Sequence, residues 1–410
     1  MFFRHLVLKS FSKLRHGSLA VELPDATRRT YGGLYQGVHA EIRILDERFF
    51  RRCFLFGAVG FAESFMAGEW ESPDLTNVIT WFILNSGTSE ALEKPRPHGS
   101  GFFNIFNVVS RAISKRRPGR FQSSGKNPRD HLGHDFFKLW LDPTMTYSCG
   151  YFDSPATSLE AAQVRKYDQL CHKLHLSHSD ELLEIGSGWG SFSIHAARHC
   201  QCKVTTVTLS EEQFSEASAR IQEAGLSDRI EILLCDYRAI RGRFDKIASI
   251  EMLESVGDRF VDEYFLKIHR LLKPRGLLAL QTVLCPDRQY QNFRDGVDFI
   301  QKHISPGTQL MCNARIAEAM IASGNLNLLD YEDMAPHYAR TFRIWRKNFE
   351  SKVDAILAQG FDGTFIQKWR YYLCYCEAVF GTRHITVAQA VYSRPNNIAL
   401  PSPVYPVSTA

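Results

Sequence analysis

Asp180-Glu-Leu-Leu-Glu-Ile-Gly-Ser-Gly-Trp-Gly190 is the stretch on which the fold turns. Residues 180–186 read as a short buried strand, the glycines at 186, 188 and 190 as a tight turn, and residues 191–200 as a helix. Glycine there lets the backbone turn sharply and approach a ligand closely. The alternation continues downstream. Strand-like CKVTTVTLS (202–210) leads to a helix at 211–224, opened by the capping box Ser210-Glu-Glu-Gln213. IEILLCD (230–236) and FDKIASIE (244–251) read as strands. A helix follows with Phe260, Val261, Tyr264, Phe265, Ile268, Leu271 and Leu272 at helical spacing, and then GLLALQTVL (276–284) as a buried strand. Strands alternating with amphipathic helices mean a doubly wound, mainly parallel sheet.

Upstream, Thr157-Ser-Leu-Glu160 reads as a capping box opening a helix with Leu159, Val164, Leu170 and Leu174 on one side. Residues 20–55 read as short antiparallel strands, and 62–85 as two helices separated by Ser72-Pro73-Asp74. Downstream, an aromatic-rich insertion spans 286–350. A helix at 364–380 and the strand-like ITVAQAVYSR (385–394) complete the sheet.

The glycine pattern separates candidate ligands. A dinucleotide site needs G-x-G-x-x-G and a carboxylate about 20 residues on, at the tip of the second strand. Here the glycines run G-x-G-x-G and that strand ends Thr208-Leu-Ser210. Glu184 precedes the loop, where a carboxylate receives an ammonium and disfavours a pyrophosphate. The pattern therefore fits the amino-acid end of S-adenosylmethionine, with Asp236 and Tyr237 after the third strand placed for the adenine. Asp236 also reads as a turn cap, and Gln213 as part of its capping box. The fold expected is α/β: a class I methyltransferase with a Rossmann-like doubly wound sheet, a helical insertion and a smaller N-terminal α+β domain.

With 410 residues, 44% of them hydrophobic and 23% charged, the chain is neither disordered nor fibrous, and no run of eighteen apolar residues occurs. Residues 1–130 hold 19 Lys/Arg against 12 Asp/Glu, and the other 280 hold 30 against 32, so the net +5 belongs to the front. Nucleic acid and anionic membrane both fit that charge. Residues 111–130, with seven basic residues plus Pro, Gly and Ser, read as a basic linker. The division expected is an N-terminal lipid- or membrane-engaging domain over 1–110, that linker, and a catalytic domain over 131–410. Ten scattered cysteines do not make a disulfide framework, and neither C-x-x-C nor H-E-x-x-H is present, so free thiols and no metal site are expected.

Tyr147-Ser-Cys-Gly-Tyr-Phe152, LLEIGSGWG, VTTVTLSEEQ, SIEMLESVG, DFIQKHISPG, HYARTFRIWRKNF and WRYYLCYCEAVF follow one another across residues 140–394, with GFAESFMAGEWESPDL in front. In these motifs the chain resembles the cyclopropane-fatty-acyl-phospholipid synthase family. That resemblance implies methyl transfer from S-adenosylmethionine to a double bond of an unsaturated acyl chain in a phospholipid. An alkene is a weak nucleophile and needs a dry pocket. Aromatic faces stabilise the resulting carbocation, and closing the ring needs a base, which in the family is bound bicarbonate.

By the same resemblance, the cofactor residues are Tyr147, Ser148, the loop Glu184, Gly186, Gly188, Trp189 and Gly190, then Thr208, Gln213, Asp236 and Tyr237. The base pocket is expected from Cys149 (through its backbone), Glu254 and Tyr338. Gln281 stands where many members carry a histidine, and it cannot titrate near neutral pH, which leaves methyl- or methylene-branched products open beside cyclopropane. Cys376 matches a cysteine marked as an active-site candidate, although its helix reads as buried. Tyr290, Phe293, Phe299, Phe342 and Trp345 are assigned to the acyl channel. The expected partners are phospholipid acyl chains and an anionic membrane surface, not nucleic acid, with a homodimer adding avidity there. The expected location is the cytoplasm, peripheral to the membrane. A small-molecule methyltransferase and a non-catalytic lipid-binding protein are the competing readings.

Overall fold

A computed structural model of the chain describes residues 2–86, 132–324, 326–398 and 400. The division expected at 110 and the linker at 111–130 fall outside the described residues. By packing, the chain forms two compact units, each assembled from three stretches of sequence.

The first unit comprises 1–132, 291–307 and 335–385. Strands β1 (His16–Glu22), β2 (Arg28–Gly32), β3 (Tyr35–Ile44) and β4 (Trp70–Glu71) form a sheet in the order β2-β1-β3-β4. β1 pairs antiparallel with β2 but parallel with β3, where antiparallel strands throughout were expected. Residues from 48 onward are helical rather than extended: the helix Arg48–Met66 takes a kink at Gly57, whose φ is +58°. The kink brings Gly60 against the Arg52 carbonyl, which would stand 2.2 Å from an added Cβ. The helix Gly363–Gly381 packs on Leu75–Ser86 and Ala335–Glu350. Its buried Glu377 accepts hydrogen bonds from Arg343 Nε (2.7 Å) and Arg346 Nε (2.9 Å).

The second unit comprises 133–290, 308–334 and 386–410. Its sheet contains β5 (Glu181–Ile185), β6 (Lys203–Thr208), β7 (Ile230–Leu234), β8 (Phe244–Ile250), β9 (Leu272–Leu284), β10 (Asn327–Asp333) and β11 (Thr386–Ser393). The order is β10-β11-β9-β8-β5-β6-β7. β5 to β9 run parallel, while β11 is antiparallel to both β9 and β10. The insertion at 286–350 is thus not wholly helical, since it supplies the edge strand β10. Helices occupy Leu159–Lys173, Ser191–Cys200, Glu211–Glu223 and Val261–Leu271. Val261, Tyr264, Phe265, Ile268 and Leu271 are buried, as their 3.6-residue period requires. The helix at 159 is capped by Ser158, whose side chain accepts from Ala161 N, one residue later than the capping-box reading.

Chain direction through the sheet reverses between β5 and β8: β6 and β7 follow on one side, β9 on the other. A crevice opens at the carboxyl ends of strands where such a reversal occurs. Gly186 to Gly190 follow β5, and Glu251 to Glu254 follow β8.

Candidate active site

The glycine loop takes the conformations its composition allows. Gly186, Gly188 and Gly190 have φ of +96°, +49° and +83°. A Cβ on Gly188 would meet nothing within 4 Å, whereas on Gly190 it would press on Ala217 Cβ at 3.1 Å. One glycine therefore faces open space, and another permits close packing against the helix Glu211–Glu223. Arg220 anchors the loop, donating to the Trp189 carbonyl at 2.6 Å.

Glu184 is buried, and its Oε2 accepts from Ser193 Oγ and, at 2.8 Å, from Thr206 Oγ1. Burial lifts its carboxyl from the usual range to about 7, against those bonds and the attraction of Lys166. A buried carboxylate below an open glycine cradle fits the cationic amino-acid end of S-adenosylmethionine. Thr208 Oγ1 donates to Gln213 Oε1 at 2.9 Å, and Ser210 caps the following helix as expected. Asp236 is turned to a structural task, capping the turn at Tyr237–Ala239 and binding Arg238 Nε and Nη2 at 3.0 and 2.6 Å. The guanidinium holds its carboxyl below the usual range. Tyr237 packs edge-on against Tyr264, with centroids 5.3 Å apart.

Tyr147 packs tilted on Phe137 and edge-on to Trp140, and the Ser148–Cys149 segment beside it is held from three sides. Gln163 Nε2 donates to the Ser148 carbonyl at 2.8 Å, and Lys166 Nζ to Ser148 Oγ at 2.7 Å. The Cys149 N–H donates to Glu251 Oε1 at 2.9 Å. Lys166 is fully buried, which lowers its ammonium to about 8 despite the attraction of Glu251, Asp142 and Glu184.

Glu251 is the central residue that sequence reasoning missed. It sits at the tip of β8 with φ +50°, a left-handed conformation that glycine adopts freely and a glutamate rarely does. Its Oε1 accepts from Cys149 N–H and also from Gln281 Nε2 at 2.8 Å. Gln281 Oε1 in turn accepts from Gln389 Nε2 at 3.0 Å, across three adjacent strands. Three residues on, Glu254 Oε1 accepts from Thr282 Oγ1 and the Val283 N–H. Its Oε2 is buried and has no hydrogen-bond partner among the described residues. Burial, and then the charge of Glu251, push the Glu254 carboxyl up to about 7.

These contacts bear on bicarbonate. The Cys149 backbone, assigned to it by resemblance, and Gln281, at the position where many members carry a histidine, converge on one oxygen of Glu251. The pocket as built therefore does not fit that anion. Apart from Tyr290, the remaining candidates lie in the first unit. Tyr338 is buried against Phe342 and Phe380, with centroids 4.6 and 4.5 Å apart, and Trp345 completes the cluster. Cys376 is buried on the helix Gly363–Gly381. Phe299 packs on Tyr371 at 4.7 Å, and Phe293 stands 6.4 Å from His384. Tyr290, in the second unit, donates to Asp258. No disulfide joins any of the ten cysteines.

Comparison with known proteins gives concordant results. The family model for mycolic acid cyclopropane synthetase matches residues 122–390. A tuberculostearic acid methyltransferase of Mycobacterium tuberculosis is 36% identical over 83% of this chain and 79% of its own. The cyclopropane-fatty-acyl-phospholipid synthase of Escherichia coli is 33% identical over 87% and 88%. Among solved structures, the mycolic acid cyclopropane synthase CmaA1 complexed with SAH and CTAB superimposes with a TM-score of 0.61 at 28% identity, covering 64% of this chain and 95% of that one.

Proposed function

The chain belongs to the mycolic acid cyclopropane synthetase family, and from that premise we propose that it methylates the double bond of an unsaturated acyl chain in a phospholipid, giving a cyclopropane ring. It is an S-adenosylmethionine-dependent methyltransferase of the lipid-modifying kind. The methyl donor supplies an electrophilic methyl group on a sulfonium. Glu184, the glycine loop and Tyr147–Ser148 would hold the donor. Lys166 and Gln163 fix that last segment from beneath.

The observation that carries the reading is the pair of carboxyl groups, Glu251 and Glu254, directly after β8 at the reversal of the sheet. Transfer to a polar amine or phenol needs no buried carbon-acid chemistry. Transfer to an alkene leaves a cation that must lose a proton, and a carboxylate beside it serves that loss.

A second reading, a methyl- or methylene-branched product, is favoured by Gln281. Both ends of its amide are engaged, so the position offers no imidazole to steer which proton leaves. The relative that acts as a tuberculostearic acid methyltransferase supports this reading too.

Docking on an anionic membrane rests on charge. Residues 87–130 hold nine Lys/Arg against three Asp/Glu, and residues 1–86 hold ten against nine, so nearly all the front's excess lies in 87–130, outside the described residues. Among the described residues, no helix is long and apolar enough to cross a membrane.

The test incubates the protein with labelled S-adenosylmethionine and liposomes of monounsaturated phospholipid, followed by mass analysis of the acyl chains. A gain of one methylene with the alkene consumed supports cyclopropanation, and the same gain in a branched chain that keeps an alkene supports the second reading. Label appearing only in soluble amines or phenols refutes both.

A further inference from the structure

We propose that Glu251 is the resident base of this enzyme, a carboxylate of the chain standing where a bound bicarbonate would otherwise take the proton. The proposal rests on the acyl-methylation reading above. Its foundation is convergence: a peptide N–H from the Cys149 segment and the Gln281 amide, 132 residues apart in sequence, both point at Glu251 Oε1, at 2.9 and 2.8 Å. Donors grouped in this way make a carboxylate site, and the chain fills it with its own side chain.

The backbone supports the assignment independently. Glu251 holds φ +50° at the end of a central strand. Strain of that kind persists where the surroundings over-determine it, and it gathers at working sites. Its N–H donates to the Gln281 carbonyl at 2.6 Å, so β9 fixes the main chain as well as the side chain. Gln281 is locked in turn by Gln389, and the Cys149 segment by Gln163 and Lys166.

The step balances. The alkene's π pair forms the bond to the incoming methyl carbon, while the old methyl–sulfur pair stays on sulfur. The neighbouring chain carbon is left cationic. Glu251 takes a proton from the new methyl group, and the released C–H pair closes the ring. Glu251 then returns its proton to water, with Glu254, three residues on, as the adjacent relay.

The experiment uses the full chain with monounsaturated liposomes and labelled donor, in carbonate-free buffer under argon and again with added bicarbonate. Wild type is expected to turn over at the same rate, within about twofold, in both buffers. Glu251→Gln should lose ~100-fold or more of the lipid methylation rate, the scale of a general base, with donor affinity by calorimetry changed less than about threefold. Glu251→Gly suits the left-handed backbone, and formate or bicarbonate should restore part of its activity, which a purely structural role would not allow. Wild-type turnover that collapses without bicarbonate and returns with it overturns the proposal, as does Glu251→Gln retaining activity within about threefold. Absence of small-anion rescue in a folded, donor-binding Glu251→Gly overturns it too. No labelled lipid from wild type in either buffer overturns the acyl-methylation reading itself, and the proposal with it.

Discussion

Replacing Lys166 with methionine separates stability from function. Its ammonium is fully buried and lowered from 10.5 to about 8. At ~1.4 kcal/mol per pH unit, that displacement is a destabilising burden of ~3 kcal/mol. The folded pKa is the depressed one, so the burden is present in full below about pH 8 and disappears as pH rises past the unfolded value of 10.5. Against it stands the hydrogen bond to Ser148 Oγ, a charged donor worth ~1.5–3 kcal/mol. Methionine nearly conserves volume, so no cavity term enters. The two effects nearly cancel. Lys166→Met should match the wild type at pH 7 within ~1–2 kcal/mol in urea unfolding, and lose ~2 kcal/mol relative to it by pH 10. Donor binding should weaken, by ~10-fold in calorimetry, because the Ser148 segment loses its anchor and Glu184 loses a compensating charge. A variant at least ~4 kcal/mol less stable at pH 7, with no pH dependence in the difference, would show that Lys166 stabilises as an ion pair and refute this reasoning.

Two further outcomes follow from the same site. Gly190→Ala combines φ +83° with a contact at 3.1 Å and should cost ~2 kcal/mol or more by thermal melting, whereas Gly188→Ala, with φ +49° and open space, should cost ~1 kcal/mol but impair donor binding. Glu184 and Glu254 both carry folded-state pKa values raised from 4.5 to about 7, so the stability they confer is full below pH 4.5 and lost as pH rises through 7. Melting temperature without the donor should fall between pH 6 and 8, with saturating donor reducing the fall; an unchanged melting temperature across that range would contradict the buried assignment.

The sheet from 180 to 284 was legible because each strand and helix there carries its own period, and the glycine loop because left-handed turns demand that residue. Pairing in the front sheet was not, since parallel docking of β1 on β3 is chosen by partners distant in sequence. FFRRCFLFG, rich in aromatic and apolar residues, offers no clean period of either kind, and its helix owes its shape to the break at Gly57. Cys149, Gln281 and Glu254 were singled out by motif, yet the residue joining the first two was passed over. Nothing in SIEMLESVG spells a left-handed glutamate; the available signal was a second acid where β8 ends. Lys166 was not singled out, although its spacing from Leu159, Ala162, Gln163 and Leu170 places it on the buried stripe.

The interleaving of the two units governs how this protein is made. The helix Leu75–Ser86 carries Val78, Ile79, Trp81 and Phe82 as buried residues, and one of its packing partners is the helix Gly363–Gly381. Some 300 residues separate the two. At about 5–20 residues per second, a ribosome needs ~15–60 s to deliver the second after the first. Throughout that interval the nascent chain presents an unfinished apolar surface, and the glycine-loop sheet must also wait for β11. Co-expressed chaperone is therefore expected to raise the yield of active enzyme.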